Sequence, residues 1–249
     1  MSNIGYKKND RVAEITINRP EKKNSLTSEM YRELTSYFNQ AGLDESITIV
    51  RLKGKGDIFT AGNDITDFAN TPKITNAENT NVIKFIKTVA NFEKPIIANV
   101  NGLAIGIGVT ILMHCDFVYA TKKTTFLLPF VNLGLCPEAA SSILIPFNSS
   151  ALKAKEKLLL GEPFTADEAL KMGIVTDIFD NEEELIKRSQ KTADKLCQLP
   201  KSAVSITKKL INQTFKDIIN SRIKLEGETL FNLLQSTDAK TAFAKFLKN

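Results

Sequence analysis

The chain has 249 residues, 43% hydrophobic and 24% charged, enough to bury a sizeable core as one large domain or as one domain with an appendage. No apolar run approaches the roughly 18 residues of a membrane-spanning helix, and the first ten residues lack the apolar stretch of a secretory leader. The net charge of +5 comes from lysines mixed with glutamates, without a dense arginine cluster, which suits a small anionic ligand about as well as nucleic acid.

Taken in order, Tyr6 and the alternating run Arg11 to Asn18 predict an N-terminal hairpin turning at Lys8 to Asp10. A polar loop over 19–25 leads to a helix over 29–41, capped by Thr27 or Ser28, with Met30, Leu34, Tyr37 and Phe38 on one face. Strands are expected at 47–52, 95–100, 116–120, 125–128 and 173–178, and an amphipathic helix at 81–92. Residues 70–80, rich in Thr, Asn and Pro, read as a loop. Pro137, at the favoured first helical position, opens a helix over 137–147. Beyond it the pattern is helical at 150–160, 165–172, 181–198, 201–219, 221–235 and 237–247. Strands alternating with helices give an α/β fold with a largely parallel sheet. The expected division is a core over 1–198 and a helical region over 199–249 that caps the core or reaches a neighbouring subunit.

Two passages lead from a strand through glycines toward a helix: Gly54 to Ile65, and Asn99 to Asp116 with Gly102, Gly106 and Gly108. Such a passage lets backbone approach a ligand and aims N–H groups at it, so two brought together make an oxyanion hole. The spacing is not the G-x-G-x-x-G of dinucleotide sites, and no Gly-Lys-Ser/Thr follows. Glycines kept for packing alone are the other reading of the same pattern.

A set of motifs then carries a resemblance over nearly the whole chain. Arg19-Pro-x-x-x-Asn24-Ser-Leu26, Phe59-Thr-Ala-Gly-Asn-Asp-Ile65, Lys94-Pro-Ile-Ile-Ala-x-Val-Asn-Gly-x-Ala-x-Gly-x-Gly108, Cys115-Asp116 and Phe164-Thr-Ala-x-Glu-Ala-x-x-x-Gly-Ile-Val175 resemble the enoyl-CoA hydratase/isomerase (crotonase) superfamily. The resemblance implies a spiral of ββα units with a helical C-terminal region, an acyl-CoA thioester as ligand, and a homotrimer or dimer of trimers. It implies an oxyanion hole made by the backbone N–H groups of Asn63 and Ile107. It also implies substrate and CoA contacts along Lys22, Lys23, Ala61, Gly62, Asn63, Asp64, Ile65, Gly106, Leu133 and Leu135. No cofactor beyond the coenzyme A of the substrate, no metal and no nucleic acid are expected.

Hydratases of this family carry two glutamates, and the matching positions here are Thr110 and Phe130, which cannot act as carboxylates. One acid remains nearby, Glu138, in Asn132-Leu-Gly-Leu-Cys-Pro-Glu-Ala-Ala-Ser-Ser142, a segment resembling the peroxisomal-type Δ3,Δ2-enoyl-CoA isomerases. The resemblance makes Glu138 the catalytic acid/base. Read without it, an acid in the first turn of a helix is a structural residue favoured by the dipole. A first-turn position would hold Glu138 ionised, whereas apolar neighbours would raise its pKa, and these pull in opposite directions.

The remaining polar residues read as scaffold or surface. His114, the single histidine, lies in an apolar run and reads as a core or interface residue. Cys115, Cys136 and Cys197 are an odd set without metal spacing, expected as reduced thiols of a cytoplasmic protein, with Cys136 lining the pocket. Asp116 reads as a turn residue and Asp64 as a helix cap. Lys245 and Lys248 either reach a CoA phosphate of a neighbouring subunit or form a solvated face. Phe243 and Phe246 read as packing residues.

Overall fold

The computed structural model describes residues 2–69 and 76–246. Strands β1 (Ile4–Asn9) and β2 (Val12–Ile17) form the expected hairpin, with Asp10 in the left-handed region at its turn. Seven strands follow: β3 (Ile49–Gly54), β4 (Ile96–Val100), β5 (Leu103–Ile105), β6 (Phe117–Thr121), β7 (Thr125–Leu127), β8 (Phe164–Thr165) and β9 (Asp177–Phe179). The main sheet has six strands in the order β1-β2-β3-β4-β6-β9, antiparallel at β1–β2 and parallel elsewhere. β4 is buried at every residue, as a central parallel strand covered on both faces must be. A second sheet, β5-β7-β8, lies beside the turns that leave the first.

Helix α1 (Ser28–Leu43) starts at Thr27, whose side chain accepts the Met30 N–H, and it buries Met30, Tyr31, Leu34, Phe38 and Ala41 at helical spacing. After α2 (Ile65–Ala69), helix α3 (Asn81–Ala90) packs on α1, its start capped by Thr80. Helix α4 (Ile107–Thr110) is one turn, continued by a 3-10 turn to His114. The chain then runs through α5 (Ser141–Asn148), α6 (Ala151–Leu160), α7 (Ala166–Lys171), α8 (Glu182–Gln198), α9 (Lys201–Gln213), α10 (Lys216–Leu234) and α11 (Thr237–Phe246). α8 covers one face of the main sheet, where Leu185, Ala193 and Leu196 meet Ile49, Ile97 and Tyr119. The other face holds the main core, to which α10 and α11 add Ile223, Leu230, Phe231, Leu234 and Phe243. Among the described residues no helix is long and apolar enough to cross a membrane.

Several boundaries differ from expectation. The helix predicted from Pro137 begins instead at Ser141, because Ala139 and Ala140 take left-handed φ values of 60° and 58° that a helix cannot contain. The strand predicted at 173–178 is confined to β9, since Gly173 (φ 68°) still belongs to the turn that ends α7. The helix predicted over 201–219 breaks after Gln213, and the next begins at Lys216. Of the loop expected at 70–80, Ala77–Asn79 is a 3-10 turn whose preceding Asn76 side chain accepts the Glu78 N–H, and 70–75 lie outside the described residues. Strands β5 and β8 are too short to leave a periodic signal.

Candidate active site

The two glycine passages run side by side. Thr60 and Ala104 pair as an isolated parallel bridge, with Thr60 N–H donating to Leu103 O and Ile105 N–H to Thr60 O. Asn63 stands three residues beyond Thr60, and Ile107 three beyond Ala104, so the two candidate donors leave the bridge at equal offsets. Gly62 makes this approach possible. Its φ is +84°, and a Cβ there would stand 2.7 Å from Ile105 O. Gly106 turns the other passage into α4 with φ 56° and ψ −116°. Among the described residues no acceptor takes the N–H of Asn63 or of Ile107. Both remain available to an external oxygen.

The passage around Asn63 is held from several sides. Tyr31, buried in α1, donates its hydroxyl to Asn63 Oδ1 at 2.5 Å, which fixes the side chain and leaves the main-chain N–H apart. Burial, then the charges of Glu138 and Asp67, keep the Tyr31 phenol protonated well above its ordinary range. Asp64 caps α2 by accepting the Thr66 and Asp67 N–H groups, each at 3.1 Å, and it pairs with Arg19 at 2.7 Å. Asn24, fully buried, takes the Arg19 N–H and donates to Lys55 O and Ile58 O, so the 19–26 loop wraps the passage. Lys23 O accepts the Ala61 N–H, while the side chains of Lys22 and Lys23 are exposed at the rim.

Glu138 lies in the turn before α5 and is 3% exposed. Thr110, one helical turn beyond Ile107, donates its hydroxyl to Glu138 Oε1 at 2.5 Å. Among the described residues Glu138 Oε2, also buried, has no hydrogen-bond partner, an unusual state for a carboxylate oxygen. With α5 starting at Ser141, Glu138 is not in the first turn of a helix, and burial decides its charge. Desolvation first, then the neighbouring Glu226 charge, push its pKa up to about 8, against the Thr110 hydrogen bond that lowers it. Phe130 is buried and apolar.

A cavity of about 230 Å³ opens at Asn63, lined among others by Leu26, Tyr31, Phe68, Val82 and Phe231. Larger hollows of about 690 and 390 Å³ lie elsewhere: one at Lys94 and Lys201, the other between α5, α9 and α10. Neither is lined by Asn63, Ile107 or Glu138, although the second reaches the end of the Asn99–Asp116 passage at Met113 to Asp116. Among the described residues no cluster of three or more His, Cys, Asp or Glu side chains could hold a metal ion.

A sequence profile described as Enoyl-CoA hydratase/isomerase matches residues 7–249. The chain belongs to the enoyl-CoA hydratase/isomerase family. Human Enoyl-CoA delta isomerase 2 is 36% identical over 246 residues, which is 96% of this chain but 61% of that protein. The chain therefore spans about three fifths of the length of that relative. The short-chain-enoyl-CoA hydratase of Clostridium acetobutylicum is 29% identical, with 100% of this chain and 95% of that protein covered. The crystal structure of an enoyl-CoA hydratase/isomerase from Pseudoalteromonas atlantica T6c superposes with a TM-score of 0.92 at 38% identity, covering 99% of this chain and 97% of that one. The α/β architecture with its helical C-terminal region is thus the crotonase fold.

Within this crotonase fold the other expected residues fall into two groups. Leu133 is half-buried and Leu135 buried in the turn before Glu138, both within the main core, whereas Ala61, Gly62, Asn63, Asp64, Ile65 and Gly106 line the paired passages. Phe243 packs on Phe68 with ring centroids 6.4 Å apart. Lys245 is exposed near the end of α11, while Lys248 and the side chain of Phe246 lie outside the described residues. His114 is half-buried, contacts Ala139 O at 2.8 Å, and is held neutral by desolvation, which depresses its pKa to about 4. Asp116 accepts the Ile96 N–H and pairs with Lys208 at 2.7 Å. The thiols of Cys115 and Cys136 are pushed up by burial to about 12 and 11. Sequence reasoning missed Tyr31 and Glu226, and it saw Thr110 only as a missing acid. Tyr31 left one usable signal, a polar hydroxyl on the apolar face of α1.

Proposed function

We propose that this crotonase-family chain is a Δ3,Δ2-enoyl-CoA isomerase, moving the double bond of a 3-enoyl-CoA to the 2-trans position. The observation that carries the reading is a buried carboxylate, Glu138, with one oxygen held by Thr110, one helical turn after Ile107, and the other without a partner among the described residues, in a chain where the N–H groups of Asn63 and Ile107 have no acceptor among those residues either. The thioester oxygen would accept hydrogen bonds from Asn63 and Ile107. Glu138 Oε2 removes a proton from C2, and the electron pair moves into the thioester to give a dienolate held by the two donors. The same carboxyl then delivers its proton to C4, leaving the double bond between C2 and C3. One group suffices because the proton is only relocated. Two-donor holes of this kind are worth about 3–4 kcal/mol of transition-state stabilisation per donor.

Thr110 and Phe130 at the two hydratase acid positions argue against hydration by the two-glutamate route. In the same reading Lys22, Lys23 and Lys245 are candidates for CoA phosphate contacts. The proposed assembly is a homotrimer or dimer of trimers.

The test is turnover of 3-trans- and 3-cis-enoyl-CoA by the parent and by Glu138→Gln, with hydration of 2-trans-enoyl-CoA measured alongside. The expected result is isomerisation by the parent, reduced about 10²–10⁴-fold in the variant, with little hydration by either. A parent that only hydrates would make it an atypical hydratase. A parent that turns over nothing while binding acyl-CoA would make it a non-catalytic binding member.

A further inference from the structure

We propose that Glu226, on α10, is a positioning residue that holds the turn carrying Glu138 and the charge environment of its carboxyl. The inference rests on the reading of Glu138 as acid/base. Glu138 is followed by two alanines in the left-handed region, a conformation alanine does not hold unaided. At this point the start of α5 leaves N–H groups that the helix itself cannot satisfy. Glu226, 86 residues away from Ala140, supplies both acceptors: Oε2 takes the Ala140 N–H at 2.6 Å and Oε1 takes the Ser142 N–H at 3.0 Å. A carboxylate is the side chain that can accept two N–H groups with one oxygen each. Glu226 is itself 5% exposed, so the pairing is sheltered from water.

The rest of the turn is closed by others. Ala139 O faces His114 Nε2 at 2.8 Å, and because a carbonyl only accepts, that nitrogen carries the proton. Glu138 O accepts both the N–H and the hydroxyl of Ser141. The groups facing Glu138 are therefore Thr110 from α4, Tyr31 from α1, Cys136 from its own turn and Glu226 from α10. Those facing Glu226 are Arg222 on its own helix, Ser142 and Cys136. Of these, Glu226 is the one that raises the proton affinity of Glu138 by its charge, so its removal shifts Glu138 toward the ionised form at lower pH.

The experiment uses the full chain and the variants Glu226→Gln and Glu226→Asp. The glutamine keeps one acceptor and loses the charge, so kcat falls by up to about 100-fold at unchanged KM, and the acidic limb of kcat/KM moves to lower pH. The aspartate keeps the charge but draws back from the N–H groups, so kcat falls while the limb stays. A readout independent of turnover is the infrared carboxyl band that Glu138→Gln abolishes, which should titrate at lower pH in Glu226→Gln. Parent-like kcat, limb and band titration in folded Glu226→Gln overturn the proposal. Should Glu226→Gln not fold, Glu226→Asp decides: a tenfold or larger loss of kcat with the limb held supports it, and parent-like kcat overturns it. If the parent does not isomerise, the function reading fails, and the band titration alone decides the role of Glu226.

Discussion

Glu138 shares its two oxygens unequally, and that asymmetry sets its chemistry. Oε1 is spent on Thr110 and Oε2 is open, while burial keeps the group protonated until about pH 8. A base works only when ionised, so in this account kcat/KM of the parent should rise with pH, bend at about pH 8 and level above it. Thr110→Val removes a hydrogen bond that lowers the pKa, so the limb should move up, and kcat/KM at about pH 7 should fall about tenfold; a pH–rate profile checks both. The stability effect has the opposite dependence. The folded-state pKa of Glu138 lies above its ordinary 4.5, so the folded state binds the extra proton, and stability is lost as pH rises toward about 8. Glu138→Gln should therefore be more stable than the parent by about 1–3 kcal/mol above that pH and little different below about 4.5, read from thermal unfolding at both ends. Glu138 was singled out as the candidate acid by its segment and by the missing acids at Thr110 and Phe130. Tyr31 and Glu226 were not, because each acts through a tertiary contact (Glu226 on the turn at Ala140, Tyr31 on Asn63) that no local pattern records.

Among the elements, the deciding feature is the register between the two glycine passages. Their paired bridge puts Asn63 and Ile107 at equal offsets, and Gly62 is one of the points where the backbones come too close for a Cβ. Gly62→Ala should strain a φ of +84° and push on Ile105 O, lowering kcat about 10²–10³-fold, the effect of losing one oxyanion donor. Circular dichroism and isomerase kinetics together separate this from unfolding. Periodicity found the long elements, α1, α3 and α8, because each buries a continuous stripe. It misplaced the start of α5, because a left-handed pair of alanines, not Pro137, sets that boundary. The misplacement mattered: in a first helical turn the dipole would have favoured an ionised Glu138, and the observed turn leaves desolvation in control.

At the scale of the molecule, α10 and α11 close over the same core as the main sheet, whereas α9 leaves Ile206, Leu210 and Ile211 more than half exposed. An apolar strip of this kind is costly for an isolated subunit. If the proposed trimer buries it, replacing the three by serine should shift sedimentation from oligomer to monomer, and unchanged sedimentation would assign the contact elsewhere. The family was legible in the sequence because its motifs fall on the loops that shape the paired passages, from Asn24 to Gly106. The cavity at Asn63 was not, since it is lined from α1, α2, α3 and α10, elements brought together only by folding. The central claim is that Glu138 relocates the substrate proton, and it is tested most directly with 3-enoyl-CoA deuterated at C2. The account predicts a primary isotope effect on kcat, deuterium appearing in part at C4 of the product, and a loss of about 10²–10⁴-fold in Glu138→Gln. Isomerisation at the same rate by parent and Glu138→Gln would contradict it.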